Sequence, residues 1–399
     1  MKITKMVRLD NRKSTSTFYA TISIAYAVQF IGVSLKLYSI SASGIVIGIA
    51  YLLFNLAAMI GSIVIPRCLS KYYNILTAIS IVMIAISCYI IYISRYVLPI
   101  ILGFIMTGFF YSTLGPALTY LLTEENEDMK VSVKILTIPQ NLGWCLGFLM
   151  GALSCLFTNL STAILLSASS AIISIPFAIP IIKNLKKYVM IREFKKNLNI
   201  ERLKRSILIP YYASVFLTFL AASTFFTSLP PLLAKLGLKN YEIYFARFIG
   251  SVVAVLSYIY TISAMLEKVS TVLHKISNYL IVRGVGFLLL LTAFYLSGIE
   301  LFIDACIILI IIGITWSYLN TGIKVIVLNF GEEAHKIYGD TTFLICLGFI
   351  IGSFIGGALL DLYTILIPIV SSILAFTAAI SYTLASKRAL ISDMGSIIT

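Results

Sequence analysis

The chain has 399 residues, 60% of them hydrophobic and 12% charged, with a mean hydropathy of +1.00 and a formal net charge of +14. A soluble domain carries about 25% charged residues, so lipid must be the solvent for most of this surface. That excludes a water-soluble enzyme, and no hydrophilic stretch is long enough to be a catalytic domain fused to an anchor.

Apolar runs of about 20 residues recur, each sufficient to cross the ~30 Å hydrocarbon core as a helix. The first is predicted over 17–37, behind a basic leader (Lys2, Lys5, Arg8, Arg12, Lys13). It is too long for a signal peptide, and a second span follows at 43–65. On the first span Tyr19, Ser23, Tyr26 and Phe30 recur at helical spacing, with Gln29 beside them. The third is predicted over 75–94 and the fourth over 97–122, where Thr107 and Tyr111 align. The fifth, 132–156, carries Gln140 and Asn141 beside Pro139, and the sixth covers 160–182. A basic polar stretch, 183–206, then interrupts the pattern. It is read as a cytoplasmic linker between an N-terminal six-helix bundle (1–182) and a C-terminal one (207–399).

The seventh span, 207–230, places Ser214, Thr218 and Phe225 on one stripe, and the eighth, 243–265, contains Arg247. The ninth is predicted over 278–297, which puts Arg283 near a helix end, where a long side chain can snorkel. The tenth, 301–328, carries Trp316, Asn320 and Lys324 on one face; 341–362 and 365–385 complete twelve. A charge at the centre of a membrane helix costs ~2.5–3.5 kcal/mol on insertion scales. Arg247 and Lys324 are therefore candidate substrate residues, with Tyr26, Gln29, Tyr111, Asn141, Trp316 and Asn320. Glu300, Asp304 and Asp361 lie near span ends. Asp304 and Asp361 are candidates for ion coupling or for pairing with Arg247, because buried charges are normally paired.

Of the 30 Lys and Arg residues, 23 fall on the side that carries both termini and three (Arg247, Arg283, Lys324) within spans, whereas the opposite loops hold only Lys36, Arg95, Lys235 and Lys239. This asymmetry predicts cytoplasmic termini in a cell membrane and accounts for the positive charge without nucleic acid. Six cysteines (Cys68, Cys88, Cys145, Cys155, Cys306, Cys346) lack metal-site spacing, and His274 and His335 fall in predicted loops with no partner. No phosphate-cradling glycine loop is present. No metal, cofactor or catalytic site is expected.

The two halves repeat at an offset of about 204 to 208 residues. The predicted loop Leu69-Ser70-Lys71-Tyr72-Tyr73-Asn74-Ile75-Leu76 matches Leu273-His274-Lys275-Ile276-Ser277-Asn278-Tyr279-Leu280. The glycines Gly143, Gly147 and Gly151 match Gly348, Gly352 and Gly356, and Glu124-Glu125 match Glu332-Glu333. An even number of spans per half makes the copies parallel, as in one large class of transporters. Glycines four apart are read as helix-packing faces.

With Pro116 in a glycine-spaced fourth span and the glycine-rich fifth, the chain resembles the major facilitator superfamily. Two positions depart from its motifs: Ser70-Lys71-Tyr72-Tyr73-Asn74 lacks the acid and glycine of the loop motif, and Phe148 stands where the antiporter motif has proline. The resemblance implies an all-α membrane protein, with twelve transmembrane helices in two parallel six-helix repeats around a central cleft. It further implies a cavity lined by the first, fourth, seventh and tenth spans. The expected function is alternating-access transport of a small organic solute, as an anion carrier or an efflux permease. A proton or a counter-anion is the candidate coupling species, and a monomer in the bilayer is expected. The alternative is a transport-inactive sensor or assembly protein of the same fold.

Overall fold

The computed structural model describes residues 2–64, 72–125, 129–188, 202–264, 268–328 and 334–398. Every regular element among them is helical, and twelve helices are long and apolar enough to cross a membrane. They are α1 (Lys2–Ser39), α2 (Gly44–Met59, continued by a π turn Ile60–Val64), α3 (Tyr73–Ile93), α4 (Val97–Glu125) and α5 (Met129–Phe157). The sixth, α6, runs over Leu160–Ile173 and, past a turn at Ser174, over Ile175–Tyr188. Then follow α7 (Arg202–Lys235), α8 (Asn240–Ala264), α9 (Val269–Leu289), α10 (Gly298–Leu328), α11 (Ala334–Leu362) and α12 (Leu366–Ile398). The end of the bundle at which α1 starts and α12 finishes is called the terminal face, and the opposite end the far face. Of the basic stretch 183–206, residues 189–201 lie outside the described residues, as do Cys68, Leu69-Ser70-Lys71 and Glu332-Glu333.

Polarity is arranged for lipid. On α3, Ile75, Ile79, Val82, Ile86, Tyr89 and Ile93 form an exposed stripe three to four residues apart, while Thr77, Ser80 and Ser87 are buried on the opposite face. The buried hydroxyls bond across helices: Ser80 to Thr113 of α4 at 2.9 Å and Ser87 to Thr107 at 2.6 Å. With no water in the bilayer core, apolar side chains face out and polar groups find partners inside.

Two of the span boundaries that differ from the sequence expectation have a plain physical reason. The seventh continues through Pro230 and Pro231 to Lys235. The prolines remove the amides that would donate to the Phe226 and Thr227 carbonyls, but Leu229, Leu232 and Leu233 are 2%, 0% and 1% exposed and packing holds the helix. The ninth begins at Val269, nine residues before the predicted start, so Leu273–Leu280 is helix and not a loop. Its polar residues read as a connection, yet Leu273, Ile276 and Leu280 are fully buried and His274 and Asn278 face outward. Arg283 is consequently near the middle of the membrane-spanning stretch Val269–Tyr295.

The glycine series mark helix crossings. A Cβ on Gly143 or Gly147 would lie under 3.0 Å from the Ala20 or Ile24 carbonyl of α1. On α11, one at Gly348, Gly352 or Gly356 would collide likewise with the Phe216, Leu220 or Thr224 carbonyl of α7. Thus α5 seats on α1 as α11 seats on α7. Gly151 is different: it takes the Tyr244 ring of α8, across the two halves of the chain. Gly352→Ala would put a methyl 2.5 Å from the Leu220 carbonyl. Overpacking of this kind costs about 1–3 kcal/mol, so the variant should unfold at lower temperature in detergent. An unchanged melting curve would show that the crossing can relax.

Candidate functional site

The polar interior of the second half is built on α7, α8, α9 and α10 around one ring, Phe226. The Arg283 guanidinium carbon lies 5.7 Å from its centroid, and that of Arg247 lies 4.4 Å away. Arg283 also sits 5.0 Å from the Trp316 ring and 5.6 Å from Phe287, one turn on along α9. Trp316 in turn packs edge-on against Phe219 and Phe226, two turns apart on α7. Cation–π contacts of this type contribute about 0.5–2 kcal/mol each.

Among the described residues, no ion pair is there. Arg283 is 1% exposed, and its Nε, Nη1 and Nη2 have no hydrogen-bond partner. The same holds for Nε and Nη2 of Arg247. Because both guanidiniums face one ring, their carbon atoms are at most about 10 Å apart, the sum of their distances to its centroid. At an effective dielectric of about 20, two unit charges that far apart repel by roughly 1.7 kcal/mol. Arg283 therefore does not snorkel. The expectation rested on a helix end that the fold moves nine residues away.

Neither acidic candidate serves these arginines. Asp304 accepts from the Thr292 hydroxyl at 2.9 Å and leaves Oδ2 buried without a partner. Asp361 accepts from the backbone amides of Gly44 at 2.5 Å and Ile45 at 2.8 Å. It is thus committed to the N-terminus of α2, and pairing of Arg247 with either carboxylate is set aside. Of the other carboxylates with described side chains, Glu242 takes the Lys239 amide, Asp340 takes the Tyr212 hydroxyl, and Glu300 is exposed. Among the described residues, the arginines have no counter-charge.

The interior of the first half is aromatic. Tyr26 stacks on Tyr111 at 4.0 Å and meets Trp144 at 5.1 Å and Phe54 at 5.7 Å. The Tyr111 hydroxyl is held by Ser23 at 2.9 Å and Gln140 at 3.3 Å. Gln29 lies elsewhere, fully buried within the first half: its Oε1 accepts from Thr107 at 2.6 Å and its amide meets Cys88 at 2.5 Å.

A polar seam joins the halves along α5. The Lys324 ammonium donates to the Thr137 hydroxyl at 3.0 Å, and Asn320 donates to the Tyr258 hydroxyl at 2.8 Å. Asn141 bonds its own helix at the Thr137 carbonyl, 2.7 Å away, and lies beside the same Tyr258 hydroxyl. So Trp316, Asn320 and Lys324 all point inward, each to a different partner. Sequence reasoning missed Arg283, Phe226, Trp144, Tyr258 and Thr137. For Arg283 a signal existed, since Leu273, Ile276, Leu280, Arg283 and Phe287 keep helical spacing and form one buried stripe.

Residues 16–353 match the sequence pattern described as the Major Facilitator Superfamily. No curated protein matches the chain. Among solved structures the chain resembles the nucleoside transporter NupG, at 16% identity and a TM-score of 0.64, over 96% of this chain and 98% of that one. It also resembles a bacterial homologue of the human lysosomal transporter Spinster in an inward-facing, unoccupied conformation, at 12% identity and a TM-score of 0.65, over 96% and 98%. The peptide transporter POT in complex with alafosfalin matches at 12% identity and a TM-score of 0.70, over 94% and 93%. At such identities the three structures speak for the fold alone. The sequence pattern, running from the first span into the eleventh, carries the classification: this integral membrane protein belongs to the major facilitator superfamily.

Proposed function

We propose that the chain is a secondary transporter that carries a small organic anion by alternating access. Two six-helix bodies, 1–182 and 207–399, would rock about the aromatic and cationic groups between them, with 183–206 as the cytoplasmic linker. The observation that supports an anion is the buried Arg283 beside the half-buried Arg247, five of their nitrogens buried without a partner and no counter-charge among the described residues. An unpaired buried charge is expensive, and a ligand that supplies the missing charge turns that cost into affinity. In this reading Arg247, Arg283 and Trp316 hold the charged end. Asn320 and Lys324 line the approach along α5 with Asn141, and Tyr26 and Tyr111 present rings to the rest of the ligand. Asp304, with one oxygen unpartnered, is the candidate coupling group, whereas Asp361 works on the fold. The charge asymmetry of the loops supports cytoplasmic termini in the cell membrane.

The test is counterflow of labelled organic anions in proteoliposomes. Arg247→Gln should lower uptake at least tenfold. Lys324→Gln, which removes the bond to Thr137, should change it several-fold. Undiminished uptake in Arg247→Gln would overturn the anion reading. A wild-type protein that exchanges no member of the panel would favour a sensor or assembly role.

A further inference from the structure

Resting on the anion reading, we propose that the arginine cluster takes a divalent oxyanion, the chemistry shared by short dicarboxylates and phosphate monoesters. Five guanidinium nitrogens, three on Arg283 and two on Arg247, are buried without partners around Phe226. A single carboxylate offers two oxygens with about four lone-pair sites, enough for one guanidinium fork. It would also leave one of two positive charges uncompensated in the same dry space. The surrounding groups cannot make up the difference. Asn320 is bonded to Tyr258, the flanking rings of Trp316, Phe219 and Phe287 accept no strong hydrogen bond, and no described carboxylate is near. Both guanidinium carbons border the Phe226 ring, 4.4 and 5.7 Å from its centroid, so a small dianion seated at the edge of that ring would meet both forks. Matching two charges with two is what the cluster selects for. A monovalent anion satisfies only half of it.

Thermal unfolding of the purified full-length protein in detergent, near pH 7.5 and at fixed ionic strength, tests this. A phosphate monoester is then mostly divalent, its second pKa being about 6. The divalent probes are succinate and phenyl phosphate, the monovalent ones butyrate and benzoate, and benzamide is the neutral control. At equal concentration a divalent probe should raise the melting temperature at least threefold more than its monovalent counterpart. Arg283→Gln and Arg247→Gln should each erase that preference, and Arg283→Lys should keep part of it. The ligand-free melting curve, read in the same scan, reports whether each variant is folded. A response to succinate alone or to phenyl phosphate alone upholds the proposal and tells the two sources apart. Equal shifts from monovalent and divalent probes overturn divalency while leaving the anion reading intact. Shifts from benzamide but from no anion overturn both. A divalent preference that survives in Arg283→Gln, or no shift with either divalent probe, overturns the assignment to this cluster.

Discussion

Arg283→Met is expected to abolish transport, by about 100-fold or more, and to leave the protein more stable than the wild type. The two effects have one origin. Burying an ion costs several kcal/mol even after relaxation, and replacing buried charged groups by apolar ones of similar size is often neutral or stabilising by about 1–4 kcal/mol. Removing one member of a buried pair usually strands the other, but Arg283 has no hydrogen-bonded partner to strand. Its removal also relieves the repulsion from Arg247. Against this stand its contacts with Phe226, Phe287 and Trp316, worth about 0.5–2 kcal/mol each. Methionine recovers part of them through sulfur–aromatic contact. The net should be a gain on the order of 1 kcal/mol, read as a higher melting temperature beside absent counterflow. Function kept at the expense of stability is what a binding site built on unsatisfied charge implies. A variant that loses both stability and transport would mean that Arg283 is there to hold three rings together, and the ligand role would fall.

The parts of this fold that could be read from sequence are those set by solvent. Runs such as Ile75–Ile93 are too apolar and too long to be anything but spans, and the loop cations follow from how membranes sort charge. The glycine series was legible because only small residues admit a neighbouring backbone, and every member lies at a crossing. Less legible was whatever depends on partners distant in sequence. Asp361 reads as a possible coupling acid, but 317 residues separate it from the amide it caps. Gln29 reads as a cavity residue from its place on α1, yet Thr107 and Cys88 use both ends of its amide. Arg283 was hidden by a boundary: His274, Lys275, Ser277 and Asn278 look like a connection unless the buried stripe beneath them is followed into the helix.

Closure of the far face should hinge on α2 and α11, where backbone meets backbone. A Cβ on Gly44 would lie 2.6 Å from the Gly357 carbonyl, one on Gly48 would lie 2.9 Å from the Ser353 carbonyl, and one on Gly357 would strike the Gly44 carbonyl and the Gly48 backbone. At each of the three the nearest atom is backbone, which cannot swing aside as a side chain can. Beside this crossing Asp361 accepts two amides at the start of α2, where the helix dipole favours a negative charge. Hydrogen bonds to a charged group contribute about 1.5–3 kcal/mol each, and solvent lowers that for an exposed carboxylate such as Asp361. Asp361→Asn keeps the shape and one acceptor oxygen but loses the charge, so the closed arrangement should weaken by about 1–2 kcal/mol, a five- to thirtyfold shift in population. Gly357→Leu should act more strongly, because the helices can no longer touch. Spin labels at Ser43 and Tyr363 report the separation by pulsed dipolar spectroscopy. The wild type should give a short, narrow distribution, Asp361→Asn a mixture of short and long, and Gly357→Leu the long component alone, with transport arrested. If Gly357→Leu keeps the short distance and the wild-type rate, then α2 and α11 do not part during the cycle. The far face would have to open elsewhere, at the contact of α5 with α8 that Gly151 and Tyr244 make.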